Sequence, residues 1–554
     1  MKLVECVPNF SEGRDRSILD AIAAQVKSVK NVTLLDVDPG ADTNRTVFTF
    51  VGEPEAVVEA AFLAIKKAAE LIDMSKHHGA HARMGATDVC PFIPVTGMSM
   101  DECVELSKKL ARRVGEELMI PVYLYEYSAS RPERANLAEV RKGEYEALPE
   151  KMKDEYWRPD FGPFAFNEKS GATVIGAREF LIAYNINLNT RDKKKAQDIA
   201  EIIREKGKLK RDANGKIVKD ANGEKVFEDG LFKHCKAVGW YIDEYNRAQI
   251  SMNLTNYNIT PAHLVLEKVR ELAMDKGVVV TGSELVGLIP RDAIIMAGKY
   301  YLNRLGESAG LPERMIIETA VQSIGLAELA PFDVDKKVIE YAIRAENRLV
   351  DMTLEGFCDE LSTDSPAPGG GSVAALCASM SAGLSAMVAN LTINKKGYEE
   401  NWDLAKPIAE EGQKVKAEAL RAIDDDTQAF YDMMDSMRLP KGTDEEKAIR
   451  NEAIQNATKK AIMVPFRTLE IAHECVVLAS KISKIGNANA LSDAGVAAIT
   501  ANAGAKAAYL NVKINMGSIE DETFKNDVLK KSEELVQKIN ELALQVEKNI
   551  LQAL

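Results

Sequence analysis

The order in which apolar periodicities follow one another constrains this chain more than any other feature. Apolar runs of strand character fall at Leu3–Val7, Val32–Val37, Thr46–Val51 and Val89–Val95, and helix-spaced apolar residues recur over 16–29 and 54–72. In chain order this reads β-α-β-β-α-β. The order repeats from residue 180, with strand runs at Phe180–Leu188, Ala237–Ile242, Gln249–Leu254 and Val278–Thr281 and helical spacing over 191–205 and 261–275. Two tandem ferredoxin-like split βαβ units, packed as two sheets with a cleft between them, are the economical reading. After about residue 345 the strand patterns vanish. Helix-forming segments run at 352–362, 372–392, 408–437, 443–482, 490–513 and 519–552, which predicts an all-α bundle in which Pro465 kinks the fourth helix. The fold class expected is therefore an α+β N-terminal half followed by an all-α helical bundle domain. The boundaries fall at 1–179, 180–331, a linker at 332–350, and 351–554. Within Arg211–Gly230 the tetrad DANG occurs twice, at Asp212–Gly215 and Asp220–Gly223, and Asn-Gly turns predict a protruding hairpin there.

Composition removes several functional classes. At 554 residues the chain exceeds what one hydrophobic core serves. A net charge of −13 and only 6% aromatic residues argue against nucleic acid and acidic membrane surfaces as partners. The seven cysteines are scattered, with no CxxC pair, as expected of thiols in a reducing compartment. The opening MKLVECVPNFSEG has no apolar core of a signal peptide, and the most apolar segment, 372–392, carries several Ser and Ala residues and an Asn. A cytoplasmic protein is expected.

Three of the six histidines, His77, His78 and His81, fall within SKHHGAHARMGATDVCPF, a glycine-containing stretch between a helix and a strand. Three readings compete. His77 and His81 stand at i,i+4 spacing, as metal ligands can, but Gly79 weakens such a helix and no acidic partner is present. A plain surface loop is the second reading. General acid–base catalysis is the third, since an imidazole accepts and donates protons near neutral pH. Arg83 offers a fork for a substrate carboxylate.

The segments VECVPNFSEG (4–13), LLDVDPGADTNRTVFTFVG (34–52) and the histidine stretch resemble the formiminotransferase half of the formiminotransferase-cyclodeaminase family. The resemblance implies transfer of a formimino group from N-formimino-L-glutamate to N5 of tetrahydrofolate. His81, in the pattern HxGxHxRMG, falls where the family has its catalytic histidine. Asn9, Asp38, Asn44 and Arg45 lie in the matching segments as pocket polar groups, although turn and cap chemistry also accounts for them. The folate-binding segment falls at Gly162, Pro163, Phe164, Ala165, Phe166, Asn167, Glu168, Lys169, Ser170 and Gly171, where flanking glycines and a lysine suit a loop gripping a flat pterin and an anionic tail. The segment GSELVGLIP (282–290) resembles a cleft-lining stretch, with Glu284 where an uncharged amide is often expected.

In the last 200 residues, PAPGGGSVAAL precedes a helix of small residues. The Walker pattern is absent because no Lys follows the glycines, which leaves close helix packing, a ligand role, or both. Over 408–437, Leu420, Ile423, Thr427, Phe430, Met434 and Met437 define an inward seam that Asp426 flanks. A carboxylate beside an apolar seam loses hydration and binds its proton more tightly. A triple aspartate is also often a solvated face. APGGGSVAA, DxDxxAF followed by MRLPK, and NVKIN (511–515) resemble the cyclodeaminase half of the same family. That implies attack of N10 on the N5-formimino carbon with loss of ammonia, with Asp426 at the catalytic position. Ser372, Asn487, Asn489 and Asp493 are further polar candidates, with helix capping as the plainer account of the last three. The resemblance implies no metal or redox cofactor, tetrahydrofolate as a substrate expected in polyglutamylated form, and a homo-oligomer. The competing function is a metal-dependent amidine or amide hydrolase built on His77 and His81.

Overall fold

Strands β1 (Leu3–Cys6) and β2 (Asn9–Phe10) run in line through the first sheet, interrupted at Val7-Pro8, where proline offers no N–H to a ladder. The computed structural model describes residues 2–41, 44–79, 82–220, 222–242, 245–343 and 348–554. After helix α1 (Arg16–Lys27) come β3 (Val32–Gly40), β4 (Arg45–Gly52), α2 (Pro54–Leu71) and β5 (Thr87–Thr96). The strand order β3-β4-β1/β2-β5 is wholly antiparallel and completes the first βαββαβ unit. Helix α3 (Met100–Glu117) then crosses over to β6 (Val122–Glu126), and β7 (Thr173–Ala177) inserts between β5 and β6, parallel to both. These two strands extend the sheet beyond the expected unit.

The two faces of this sheet are covered differently. Alternation in β4 turns Phe48 and Phe50 into a core with Leu19 and Ile22 of α1 and Val57 and Ile65 of α2. On the other face the β5-β7-β6 side carries a second hydrophobic cluster. There the excursion 127–172, with short helices α4 (Leu137–Val140) and α5 (Leu148–Lys151), packs Val140, Leu148 and Met152 on Tyr123, Tyr125 and Val174.

The second unit repeats the plan. Elements β8 (Ile182–Leu188), α6 (Lys193–Ile203), β9 (Lys208–Leu209), β10 (Phe227–Glu228), β11 (Cys235–Ile242), β12 (Arg247–Leu254), α7 (Ala262–Asp275) and β13 (Val280–Val286) follow. The sheet order β11-β12-β8-β13 is again antiparallel and matches the first unit's pattern. In each DANG the aspartate Oδ1 accepts from backbone N–H groups two and four residues on, at 2.9 Å, and Gly215 and Gly223 take φ of 79° and 83°. Each tetrad thus closes its own turn, and 208–228 is a doubled hairpin.

Helices α8 (Arg291–Leu305), α9 (Glu313–Ile324), α10 (Val334–Lys337) and α11 (Ile339–Ala342) lead to the helical part: α12 (Leu354–Leu361), α13 (Gly370–Thr392), α14 (Trp402–Met437), α15 (Asp444–Ile485), α16 (Leu491–Asn515) and α17 (Glu522–Ala553). The chain divides into two compact units, Met1–Ala297 with Ile324–Arg344, and Gly298–Ser323 with Ala345–Leu554.

Helix α13 is long and apolar enough to cross a bilayer by length and composition alone. Its buried residues are Gly, Ala, Ser and Thr with a single valine, and α14, α15 and α16 pack around it. Small side chains let backbones approach. A Cβ on Gly504 would stand 2.9 Å from the Ala374 carbonyl oxygen, and one on Gly412 would stand 2.9 Å from Ala386 Cβ. Of the seam expected on α14, Ile423 is buried, Leu420, Thr427, Phe430 and Met434 are half-buried, and Met437 is exposed.

Pro465 does not interrupt α15, which is continuous from Asp444 to Ile485. Proline cannot donate to the carbonyl four residues back. Here that carbonyl, on Ala461, accepts instead from Asn515 Nδ2 at 2.8 Å. Replacing Asn515 with Ala is expected to destabilise the helical unit by about 1 kcal/mol, the worth of a half-buried hydrogen bond to an otherwise unmet carbonyl. In a Pro465→Ala background the restored N–H should remove most of that loss. Unfolding midpoints of the two single variants and the double variant check it, and strictly additive losses would count against it.

Candidate functional site

His81 and the preceding Ala80 lie outside the described residues, so the frame around them defines the site. A one-turn helix, Met74–Lys76, is capped by Asp73, whose Oδ1 accepts from Ser75 N–H at 3.2 Å. It delivers His77 into a buried position. Arg83 Nε donates to His77 Nδ1 at 3.2 Å, and since a guanidinium only donates, the ring proton sits on Nε2 and is given to the Asn44 carbonyl at 2.8 Å. Burial lowers the pKa of His77, and the Arg83 charge adds to that against the opposing pull of the Asn44 carbonyl. His77 is therefore a neutral imidazole with both nitrogens engaged, and it has no lone pair left for a metal. Among the described residues no group of three or more His, Cys, Asp or Glu is placed to hold a metal ion. His78 is exposed and contributes its backbone carbonyl, which accepts from Asn44 Nδ2 at 3.0 Å.

Arg83 is buried, and its donors are taken up within the protein. Nη1 donates to Glu144 Oε2 at 3.0 Å and to Glu146 Oε2 at 2.9 Å, and Nη2 to Glu146 Oε1 at 2.6 Å. Glu146 is the main reason its pKa rises. The fork that sequence reading reserved for a substrate carboxylate is filled here by Glu146. Sequence reading missed both glutamates, which stand more than 60 positions away.

The remaining candidates of this half sit on the sheet face opposite α1 and α2. Asp38 pairs with Val47, Val47 with Asn9, and Asn9 with Val89, so Asn9 and Asp38 share one row across four strands, with Arg45 one pleat away on β4. Asp38 is exposed and Asn9 buried. Asn44 has a φ of 47°, which asparagine tolerates, and its Oδ1 accepts from Gly13 N–H at 3.0 Å. Arg45 Nη2 donates to Asn9 Oδ1. Beside it, fully buried Asp88 receives both Nε and Nη2 of Arg141 and the backbone N–H of Met84.

The end of the segment 162–171 runs alongside residues that follow His81, while its start at Gly162 lies against Gly115 and Ile120. Gly85 pairs with Gly171, Ala86 N–H donates to Ser170 O at 2.9 Å, and Ala172 N–H donates to Met84 O at 3.0 Å. Gly171 has a φ of 67° and a Cβ there would lie 2.2 Å from the Met84 oxygen, so only glycine fits. Asn167 caps the turn, accepting from Ser170 N–H through Oδ1 and from Gly171 N–H through its carbonyl. Lys169 is exposed and its Nζ donates to Glu70 O at 2.8 Å. Phe164 and Phe166 pack against the covered face, Phe166 with its ring 5.6 Å from that of Tyr145. Gly162, Ala165 and Glu168 are exposed, and Pro163 is half-buried. Glu284 lies on the second sheet, accepting from Asn185, Gln249 and Tyr245.

In the helical unit Asp426 of α14 meets the start of α13. Ser372 Oγ donates to Asp426 Oδ2 at 3.2 Å and to the Ile423 carbonyl at 3.1 Å. A Cβ on Gly371 would stand 2.0 Å from Asp426 Oδ1, so the glycine is what lets the carboxylate come so close. Asn511, the first residue of the NVKIN motif, lies beside Gly370, a neighbour that the motif alone did not place. Burial raises the Asp426 pKa, and the Ser372 hydroxyl and backbone N–H oppose that in part. Asp424 is occupied elsewhere, capping Leu349 N–H at 2.8 Å.

Asn487 and Asp493 are not brought to this place. Asn487 N–H donates to Thr392 Oγ1 and its Nδ2 to Leu391 O, at the far end of α13 from Ser372. Twenty residues of helix separate the two ends, roughly 30 Å at 1.5 Å per residue. Asn487 Oδ1 accepts from Asn489 N–H, so capping accounts for that side chain, and Asp493 lies in the first turn of α16. Within one chain these candidates therefore stand apart from Ser372 and Asp426.

Comparison with known proteins covers the whole chain. A family model described as the N-terminal subdomain of the formiminotransferase domain matches residues 3–178, one described as the formiminotransferase domain matches 183–344, and one described as formiminotransferase-cyclodeaminase matches 353–534. A formimidoyltransferase-cyclodeaminase of Dictyostelium discoideum is 42% identical over 552 residues, spanning 98% of each chain. A glutamate formimidoyltransferase of Streptococcus pyogenes is 45% identical over 54% of this chain and 93% of its own. A methenyltetrahydrofolate cyclohydrolase of Methylorubrum extorquens is 41% identical over 33% of this chain and 88% of its own.

The state of His77 is measurable. Its folded pKa lies below the ordinary 6.5, so the unfolded chain takes up the proton first. Its contribution to stability is whole above pH 6.5 and is lost as pH falls from there through the depressed folded value. Nitrogen-15 shifts at pH 7 should report a neutral ring protonated on Nε2, and a ring that titrates at or above 6.5 in the folded protein would overturn the assignment.

Proposed function

This chain belongs to the formiminotransferase-cyclodeaminase family, and from that premise we propose that it is a bifunctional folate enzyme with one reaction in each compact unit. The first unit transfers the formimino group of N-formimino-L-glutamate to N5 of tetrahydrofolate and releases glutamate. The second closes 5-formiminotetrahydrofolate to 5,10-methenyltetrahydrofolate and releases ammonia. The two steps place the chain in histidine degradation. The observation that carries the transfer reading is the pairing of Gly85 with Gly171, which lays the stretch after His81 against the proposed folate segment.

In the transfer step the N5 lone pair attacks the amidine carbon and N5 loses its proton, while the nitrogen of glutamate gains one as its bond to that carbon breaks. His81 serves as the carrier, for His77 has both nitrogens committed. In the closure step N10 attacks the formimino carbon, its proton passes to Asp426, and the departing amino group leaves as ammonia after protonation. A carboxylate whose proton affinity is raised by burial suits both transfers. Tetrahydrofolate is a substrate throughout, and neither step calls on a metal or a redox cofactor.

The cytoplasmic placement is part of the same proposal, supported by seven cysteines that all stand as free thiols. So is the homo-oligomer, supported by Met380, Met387 and Leu391 on α13 and Leu510 and Ile514 on α16, all left exposed on the single chain.

The similarity to a methenyltetrahydrofolate cyclohydrolase favours a second reading for the helical unit, addition of water to the methenyl carbon. One assay separates these. Given formiminoglutamate and tetrahydrofolate, the wild type should release ammonia with lasting methenyl absorbance, whereas decay of that absorbance to a formyl product would favour the hydrolytic reading. His81→Ala should slow formimino transfer by roughly 10²- to 10⁴-fold while preformed 5-formiminotetrahydrofolate still cyclises. Asp426→Ala should do the reverse, and Gly371→Ala should follow Asp426→Ala because its methyl group displaces that carboxylate. A variant that left both rates within a few-fold would lose its assigned role.

A further inference from the structure

Formiminoglutamate carries two carboxylates, and an enzyme that must hold it through departure of its nitrogen needs a cation for at least one of them. Arg83 is committed to Glu144, Glu146 and His77. Arg141 gives Nε and Nη2 to Asp88. Arg14 is exposed, with its Nε on the Ala41 carbonyl.

Arg45 differs from all three. Its Nη2 meets the neutral Asn9 amide, and its Nε is buried with no hydrogen-bond partner. Among the described residues no carboxylate pairs with it. Asp88 lies close enough to be felt, but both Asp88 oxygens are taken by Arg141 and one of them also by Met84 N–H. Among the described residues Arg45 is thus left with no carboxylate hydrogen-bonded to it in a half-buried place, where a charge is costly without an anion. The position is also apt. Arg45 follows Asn44, whose carbonyl holds the His77 ring and whose side chain holds the His78 carbonyl.

We propose that Arg45, rather than Arg83, is the carboxylate anchor of the formimino donor, and that Arg83 is a positioning residue acting through His77. The assignment rests on the reading of the first unit as a formimino transferase. A planar guanidinium with a donor still unmet keeps hydrogen-bonding capacity for a carboxylate.

Steady-state transfer by the full chain at saturating tetrahydrofolate tests it. Arg45→Gln should raise KM for formiminoglutamate roughly 10- to 100-fold, the range of a charge-assisted hydrogen bond, and change kcat by much less. KM for tetrahydrofolate in the transfer step should stay within about two-fold, which reports that the first unit is folded, and cyclisation of preformed 5-formiminotetrahydrofolate by the second unit should be unaffected. Arg45→Lys, which keeps the charge without the fork, should raise KM less and serves where the glutamine variant does not fold. A formimino donor with both carboxylates replaced by methyl groups should bind the wild type poorly and discriminate little between wild type and Arg45→Gln. If the wild type turns over formiminoglutamate and Arg45→Gln leaves its KM unchanged, or lowers kcat alone, the anchor assignment fails while the function stands. If the wild type does not transfer from formiminoglutamate at all, the reading beneath it fails first.

Discussion

The arrangement of the first unit hangs on a cation taken out of water. Arg83 has only 7% of its side chain exposed, and an unmet guanidinium there would cost several kcal/mol. Glu144 and Glu146 are themselves 41% and 62% exposed, so each ion pair taken alone is worth no more than about 1 kcal/mol. The balance is struck by the number of partners. Two carboxylates, an imidazole nitrogen and a backbone carbonyl together occupy the guanidinium, and the Arg83 carbonyl accepts from Tyr145 N–H at 2.9 Å. That knot fixes the tautomer of His77 and also draws the excursion 127–172 onto the sheet. Together with the apolar packing of Val140, Leu148 and Met152, it holds the excursion where Ser170–Ala172 bond with Met84–Ala86.

The helical unit solves the opposite problem, bringing an anion close to a helix start without room for it. Alanines, serines and glycines on α13 and α16 carry the backbones together, as Ser381 Oγ shows by reaching the Ala497 carbonyl of the neighbouring helix at 2.6 Å. Gly371 is the point where that economy of side chains becomes chemical, since Asp426 fills the space a Cβ would need. Two influences then compete on the carboxylate. Amides at the start of α13 favour its charge, and burial disfavours it. Burial prevails, and Asp426 holds its proton more tightly than a surface aspartate.

Most of this fold was legible because its elements repeat apolar residues with one clear period. The eight runs read as strands all fall on strands, and the six helices of the last 200 residues begin and end within a few positions of the expected bounds. The additions to the first sheet were not legible. VYLYE and TVIGA are nearly wholly buried, so they lack the alternation that marks a half-exposed strand, and short apolar runs do not distinguish strand from helix. Asp426 could be placed against the apolar seam from spacing, and Asn9 and Asp38 from their segments. The partners of Arg83 could not, because an ion pair across more than 60 residues leaves no local signature. The distance of Asn487 and Asp493 from Ser372 within one chain was not legible either. Motif resemblance gives identity without distance, and the length of α13 lies between them and Ser372.

Both proposed reaction centres leave positioning to the backbone. Asn44 accepts a left-handed φ, and in return its carbonyl, amide nitrogen and amide oxygen hold the His77 ring, the His78 carbonyl and the Gly13 N–H. Gly371 gives up a side chain, and in return the carboxylate rests against the main chain with the Ser372 hydroxyl as its latch. A main-chain frame has few rotatable bonds to misplace, which matters where a displacement of about 1 Å can cost a hundred-fold in rate. It also explains why the polar groups that hold the frame, Asn44, Arg83 and Ser372, are each bonded on several sides. Arg45 Nε and the Thr87 hydroxyl on the same sheet are buried without a hydrogen-bond partner and stand apart from that pattern, and of the two it is the charged group whose unmet donor costs more.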